Sequence, residues 1–358
     1  MPALDLTASS ADLTRAICDI PSVSGDEVTL ADAISAAVSA LPHLDVHRDG
    51  DTIVARTHLG RAQRVVIAGH IDTVPINDNL PVREIDEDGE RMLWGRGTVD
   101  MKAGVAVQLK LAAELTAPRV DITWMWYDHE EVAAELNGLT RLATTSPELF
   151  AGDFAILGEP SNGQVEGGCN GNLRAVIRTS GVRAHSARAW IGDNAIHKAA
   201  PVLERLAAYT PADVEVEGLV YREGLNAVRI GGGVAGNVIP DRCEVEVNYR
   251  FAPSRSTDEA VAHVRDVFEG FEVDVVDLAG GARPGLDAPL AQEFVSAVGA
   301  EPRPKYGWTD VARFSALGVP AVNYGPGDPS LAHHDDERVP LAQIDAVEAG
   351  LRAWLNGA

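Results

Sequence analysis

The sequence predicts an α/β protein with a smaller α+β unit inserted in it, and three observations carry that reading. Short β-branched runs alternate with helical patterns in the first part of the chain, the mark of a sheet covered by helices. From about Leu173 the pattern turns to strands separated by few helices, as an antiparallel sheet requires. After the Gly/Pro-rich stretch 280–285, helix and strand patterns resume through Trp354, so the chain returns to the first unit.

In chain order, apolar residues at helical spacing predict helices over 11–20 and 27–41, with Pro21-Ser22-Val23-Ser24-Gly25 as the loop between them. A strand follows at 64–68, a helix at 103–115, and strands at 122–127 and 154–157. The inserted unit reads as strand 173–180, helix 194–208, strands near 214–220, 227–232 and 243–251, helix 257–268 and strand 272–276. A last strand is expected at 321–324. The expected division is 1–175 with 285–358 for the outer domain and 176–284 for the insert.

Composition excludes several functions. The 358 residues carry 30 basic and 53 acidic side chains, a net charge of −23, which repels polyphosphate, so no nucleic acid is expected as a partner. Lys102, Lys110, Lys198 and Lys305 are the four lysines, and none stands in a G-x-x-x-x-G-K loop. No apolar run reaches the ~18 residues of a membrane span, so no membrane partner is expected. Cys18, Cys169 and Cys243 form no C-x-x-C pair, and the N-terminus lacks the basic and apolar regions of a secretory signal, which together point to the cytoplasm.

The chemistry concentrates where strands end. Val65-Val66-Ile67-Ala68 runs into Gly69-His70-Ile71-Asp72, and the strand ending at Tyr127 runs into Asp128-His129-Glu130-Glu131. Leu157 runs into Gly158-Glu159-Pro160, and Val322-Asn323-Tyr324 leads through a Gly/Pro loop to His333. Carboxyl ends of strands line the ligand crevice of open α/β sheets, so these groups can converge despite their separation in sequence. Asp100 precedes a helix and, taken alone, fits an N-cap; His70 alone fits a structural histidine, and Glu130-Glu131 a solvated turn. Taken jointly they supply a nitrogen and oxygen ligand set suited to zinc or a similar divalent ion, with no thiolate. A carboxylate such as Asp100 can bridge two metals, and of Glu130 and Glu131 one can ligate while the other takes a proton from water. H-E-x-x-H and G-x-S-x-G are both absent.

These motifs, with Gly97-Thr98-Val99-Asp100-Met101-Lys102-Ala103-Gly104 and Ala332-His333-x-x-Asp336-Glu337, resemble the two-zinc amidohydrolase family of aminoacylases, acetylornithine deacetylase and glutamate carboxypeptidases. The resemblance implies an exopeptidase-like catalytic domain with an inserted dimerisation, or lid, domain and a homodimer. It implies two zinc ions per subunit, replaceable by cobalt, held by His70 and Glu159 on one ion, Glu131 and His333 on the other, and Asp100 between them. His333 is preferred to His334 because it follows Ala332 and stands four residues before Glu337. Asp72 would orient His70, and Glu130 would be the general base. His185 and Asn237 would reach the partner's site, with His185 stabilising an oxyanion, and Arg250, Thr309 and Arg313 would bind a small-molecule substrate.

Segments around His185, 192–198, 306–314 and 323–329 further resemble the family's desuccinylase branch, implying an N-succinylated diamino acid as substrate. The rivals are deacetylation or dipeptide cleavage by the same metals, and a catalytically silent binding protein of the same fold.

Overall fold

The computed structural model describes residues 3–357, which form two compact units. The first comprises residues up to 167 together with 284–303 and 313 onward, and the second comprises 168–283 and 304–312.

The first unit is built on an eight-stranded mixed sheet in the order Asp45–Asp49, Thr52–Arg56, Asp121–Tyr127, Arg64–His70, Phe154–Leu157, Ala321–Asn323, Glu166–Gly167, Arg303–Pro304. Arg64–His70 pairs in parallel with both Asp121–Tyr127 and Phe154–Leu157, and Ala321–Asn323 pairs in parallel with Phe154–Leu157. Four carboxyl ends therefore open on one edge. These strands are apolar along their length because both sheet faces are covered, and Asp121–Tyr127 is buried at every residue.

The helices Ser10–Cys18, Val28–Ser39, Lys102–Glu114, Pro289–Val298 and Leu341–Asn356 cover the sheet. Ser9 starts the first by accepting the N–H of Asp12, and the last buries Ile344, Val347, Leu351, Trp354 and Leu355 at helical spacing. Lys102–Glu114 has no such stripe: it is buried from Lys102 through Ala112. Lys102 compensates by donating from Nζ to the carbonyls of Ile17 and Ile20, at 3.2 and 3.1 Å. A separate three-stranded sheet joins Arg338–Pro340, Glu90–Trp94 and Arg83–Glu87.

The second unit has a four-stranded antiparallel sheet in the order Gly224–Gly232, Arg242–Phe251, Gly171–Ser180, Glu272–Ala279. Leu173, Ala175, Ile177, Val245, Val247 and Tyr249 alternate with polar neighbours and join the core that contains Val202 and Val264 of the helices Ala200–Ala208 and Thr257–Val267. Ser256 and Glu259 form a reciprocal capping box at the start of the latter helix.

Three expectations are corrected. A domain boundary at 175/176 would cut Gly171–Ser180, which pairs along its whole length with Arg242–Phe251; the division falls at 167/168 and 283/284. Residues 304–312 also join the second unit, where Lys305 O accepts from Asn170 N–H and Trp308 Nε1 donates to Gly280 O. The strand expected near 214–220 is a hairpin, Asp213–Val216 with Leu219–Arg222, because Glu217 and Gly218 both take positive φ, 51° and 82°. The helix expected over 194–208 divides into Ala195–Lys198 and Ala200–Ala208, with Pro201 in the first turn of the second piece. Among the described residues no helix is long and apolar enough to cross a membrane.

Candidate metal centre

His70 closes its strand in register with Tyr127, so the acidic turn after Tyr127 emerges beside it. Asp72 locks the two segments together. Its Oδ1 and Oδ2 accept the backbone N–H groups of Glu130 and Glu131, each at 3.0 Å, and Ser24 Oγ donates to Oδ2 at 2.6 Å. His70 Nδ1 lies 3.0 Å from the Asp72 carbonyl oxygen and 3.4 Å from its Oδ1. Both are acceptors, so this nitrogen carries a proton and Nε2 is turned to Asp100 Oδ1 at 3.1 Å. Burial would raise the Asp72 carboxyl, but the bonds and charge of His70, with Ser24 and the Glu130 amide, hold it down at about 2.

Asp100 does not cap the following helix. The N-cap is Met101, which makes no side-chain bond, and the Asp100 oxygens instead face two imidazoles. Oδ2 is 3.5 Å from His333 Nε2, which is also 2.9 Å from Glu131 Oε2. One ligand atom each from His70, Asp100 and Glu131 falls within 4.8 Å of the others. His129 and His333 have φ of 58° and 65°, left-handed values that reverse the chain at the acidic turn and at the His333 loop. It is His333, not His334, whose imidazole faces Glu131 and Asp100; His334 contributes backbone bonds to Leu331 and Arg96.

Glu159 is buried two residues beyond Leu157, whose strand is in register with Ala68 of the His70 strand. The Glu159 segment fits closely against its surroundings. A Cβ on Gly104 or Gly325 would stand 2.1 or 2.2 Å from the Gly158 carbonyl oxygen.

The carboxylates and imidazoles of the cluster perturb one another strongly. Burial would raise Asp100, yet His333 and His70 hold it well below the carboxylate range; reciprocally, Asp100 and then Glu131 push His333 up to about 10. Burial would lower His70, and Asp100 and Asp72 outweigh it upward. Glu131 Oε1 is buried with no hydrogen-bond partner, an orphaned carboxylate oxygen whose sister Oε2 meets the His333 imidazole. A divalent ion fits this donor set of nitrogen and oxygen.

Two contributors are not singled out by the sequence: Ser24, inside the 21–25 loop, and Glu27, at the start of the helix that follows it. Ser24 binds Asp72, and the buried Glu27 accepts the N–H of Gly25 and of His129, bracing the acidic turn from behind. For Ser24 the available signal was a polar residue inside a short loop between two helices.

The remaining candidates are distributed over both units. His185 caps the short 3₁₀ segment Ser186–Ile191, accepting the Ala187 N–H on Nδ1 at 3.0 Å, which leaves the proton on Nε2 of an exposed ring. Asn237 O accepts from Ser186 N–H, so His185 and Asn237 share one bridged pair of segments in the second unit. Arg250 is half-buried, donates to Asn248 Oδ1 at 3.2 Å and, by alternation, faces away from the buried Tyr249 and Phe251. Thr309 is buried in the second unit, and Arg313, in the helix Val311–Ala316, is counted with the first.

The sequence model of peptidase family M20/M25/M40 matches residues 66–356, and the chain belongs to that family, a metal-dependent amidohydrolase by class. Within it, the chain is 50% identical over 99% of its length to the succinyl-diaminopimelate desuccinylase of Corynebacterium glutamicum, of which it covers 98%. A Mycobacterium tuberculosis protein provisionally given the same name is 52% identical over 99% of this chain and all of its own. A solved tripeptidase from Staphylococcus aureus superposes with a TM-score of 0.80 over 99% of this chain and 98% of its own, at 21% identity, and so shares the fold.

Proposed function

We propose that this protein hydrolyses the amide of N-succinyl-LL-diaminopimelate, releasing succinate and LL-diaminopimelate, as a cytoplasmic homodimer in lysine and cell-wall precursor synthesis. The observation that carries the reaction type is the cluster of His70, Asp100, Glu131 and His333, in which one buried Glu131 oxygen has no hydrogen-bond partner. The substrate rests on the likeness to the desuccinylases.

His70 and Glu159 would hold one zinc ion, Glu131 and His333 the other, and Asp100 would join them, with cobalt as a substitute. Bound there, the two ions supply an acidified water and a polarised amide carbonyl. Glu130 takes the water's proton on its carboxylate as oxygen attacks the carbonyl carbon, and returns it to the leaving nitrogen as the C–N bond breaks. Asp72 keeps Glu130 in place through the backbone bond and fixes the His70 ring. His185 donates its Nε2 proton as a hydrogen bond to the developing oxyanion, acting with Asn237 in the partner subunit's site. Arg250, Thr309 and Arg313 bind the substrate carboxylates and carbonyls. Dimerisation is supported by large apolar side chains exposed on the second unit, including Trp190 at 79% and Ile191 at 61%.

The test is a panel of succinyl-diaminopimelate, acetylornithine and dipeptides offered to zinc-loaded protein. Fastest turnover of the succinyl compound is expected; faster turnover of the acetyl or peptide substrates would overturn the assignment.

A further inference from the structure

Two motif residues have no part in the chemistry above, Arg96 in Gly95-Arg96-Gly97 and Glu337 at the end of the His333 motif. They are 3% and 1% exposed, and Arg96 Nη1 lies 2.9 Å from Glu337 Oε2. The other carboxylate oxygen, Oε1, accepts the backbone N–H of Val99 at 2.8 Å and of Asp100 at 3.0 Å. Arg96 also donates from Nη1 to the His334 carbonyl at 3.1 Å and from Nε to the Pro75 carbonyl at 3.2 Å. Gly95 N–H closes the circuit on the Glu337 carbonyl at 2.9 Å.

One buried ion pair therefore touches each of three loops: 71–75 after His70, 95–100 carrying Asp100, and 333–337 carrying His333. A buried ion pair is weak evidence for stability, since two apolar residues often pack as well. What this pair adds is direction. Glu337 grips the amide of Asp100, whose carboxylate faces both imidazoles, and Arg96 grips the backbone next to His333.

We propose that Arg96 and Glu337 are positioning residues that hold Asp100 and His333 in the mutual register both metal ions require, so that metal affinity depends on a pair that contacts no metal. The inference rests on the ligand assignment given above.

The experiment is zinc titration against a chromophoric chelator at one pH, on wild type, Glu337→Gln and Arg96→Lys, with folding followed by circular dichroism. Glu337→Gln keeps the shape and the N–H acceptor but loses the charge; Arg96→Lys keeps the charge but loses the fork. Each folded variant is expected to bind zinc ~10–100-fold more weakly, as loss of a partner behind the ligands typically does. With saturating zinc, kcat should fall while KM stays near wild type. Wild-type zinc affinity in a folded variant would overturn the proposal, as would failure of both variants to fold in excess zinc, which makes the pair structural. If wild type itself does not bind two zinc ions, the ligand assignment fails instead.

Discussion

Asp72 spends both carboxylate oxygens on the backbone of the residues it serves, so Glu130 and Glu131 are oriented by their main chain and keep their side chains for other work. That separation makes Glu130→Gln a clean probe. The amide has the shape of the acid and leaves the backbone bond to Asp72 intact, but it cannot accept the proton. Turnover should fall by ~10²–10⁴-fold with unchanged zinc content and folding, measured by steady-state kinetics beside metal analysis.

The three thiols should be inert for a related reason. Burial raises Cys18 to about 12 and Cys169 to about 11, and it also raises Cys243. A raised thiol pKa leaves the group protonated and un-nucleophilic below that value. At pH 8 a thiol reagent should label no cysteine rapidly in the native protein and all three after denaturation.

The strand-end acids and imidazoles were legible in the sequence because an apolar run visibly stops at each of them. Arg96 and Glu337 were not, since their partnership spans 241 positions and is made largely to backbone, which no side-chain pattern encodes.

At the scale of elements, the helices Ser10–Cys18, Val28–Ser39, Lys102–Glu114 and Thr257–Val267 and the strands Arg64–His70, Asp121–Tyr127 and Phe154–Leu157 were read to within a few residues, because burial imposes the pattern directly, whereas the helices after 285 were read only as a pattern without bounds. Short hairpins were lost. Arg83–Glu87 with Glu90–Trp94 turns through Asp88 and Gly89 at φ of 55° and 88°, and Asp213–Val216 with Leu219–Arg222 turns through Glu217-Gly218. Both turns put a two-residue reversal between strands of only four or five residues, charged and partly exposed, too short for their pattern to mark two separate strands.

The buried helix Lys102–Glu114 is held at the sheet edge by Gly104, whose absent Cβ admits the Gly158 carbonyl. Because the obstacle is backbone, it cannot rotate aside. Gly104→Ala should destabilise the fold by about 3 kcal/mol, the upper end for overpacking, seen as a lower urea midpoint at unchanged slope.

At the scale of the whole molecule, the account makes assembly part of catalysis. The candidate metal ligands belong to the first compact unit and His185 to the second, and under the proposed function His185 serves the partner subunit. Inactive His185→Ala chains mixed with inactive Glu130→Gln chains should form heterodimers that hold one intact site, with activity recovered as subunits exchange. Mixtures that exchange subunits and stay inactive would return His185 to its own chain.

The central claim is that a pair of metal ions, held by side chains brought together at one sheet edge, enables cleavage of a succinyl amide. The most direct measurement strips the protein with a chelator, restores zinc in measured equivalents and follows succinate release from N-succinyl-LL-diaminopimelate. Release should be abolished by stripping, rise with added zinc and level off at two ions per chain. Undiminished release from the stripped protein, or none from the fully loaded protein, would contradict the account.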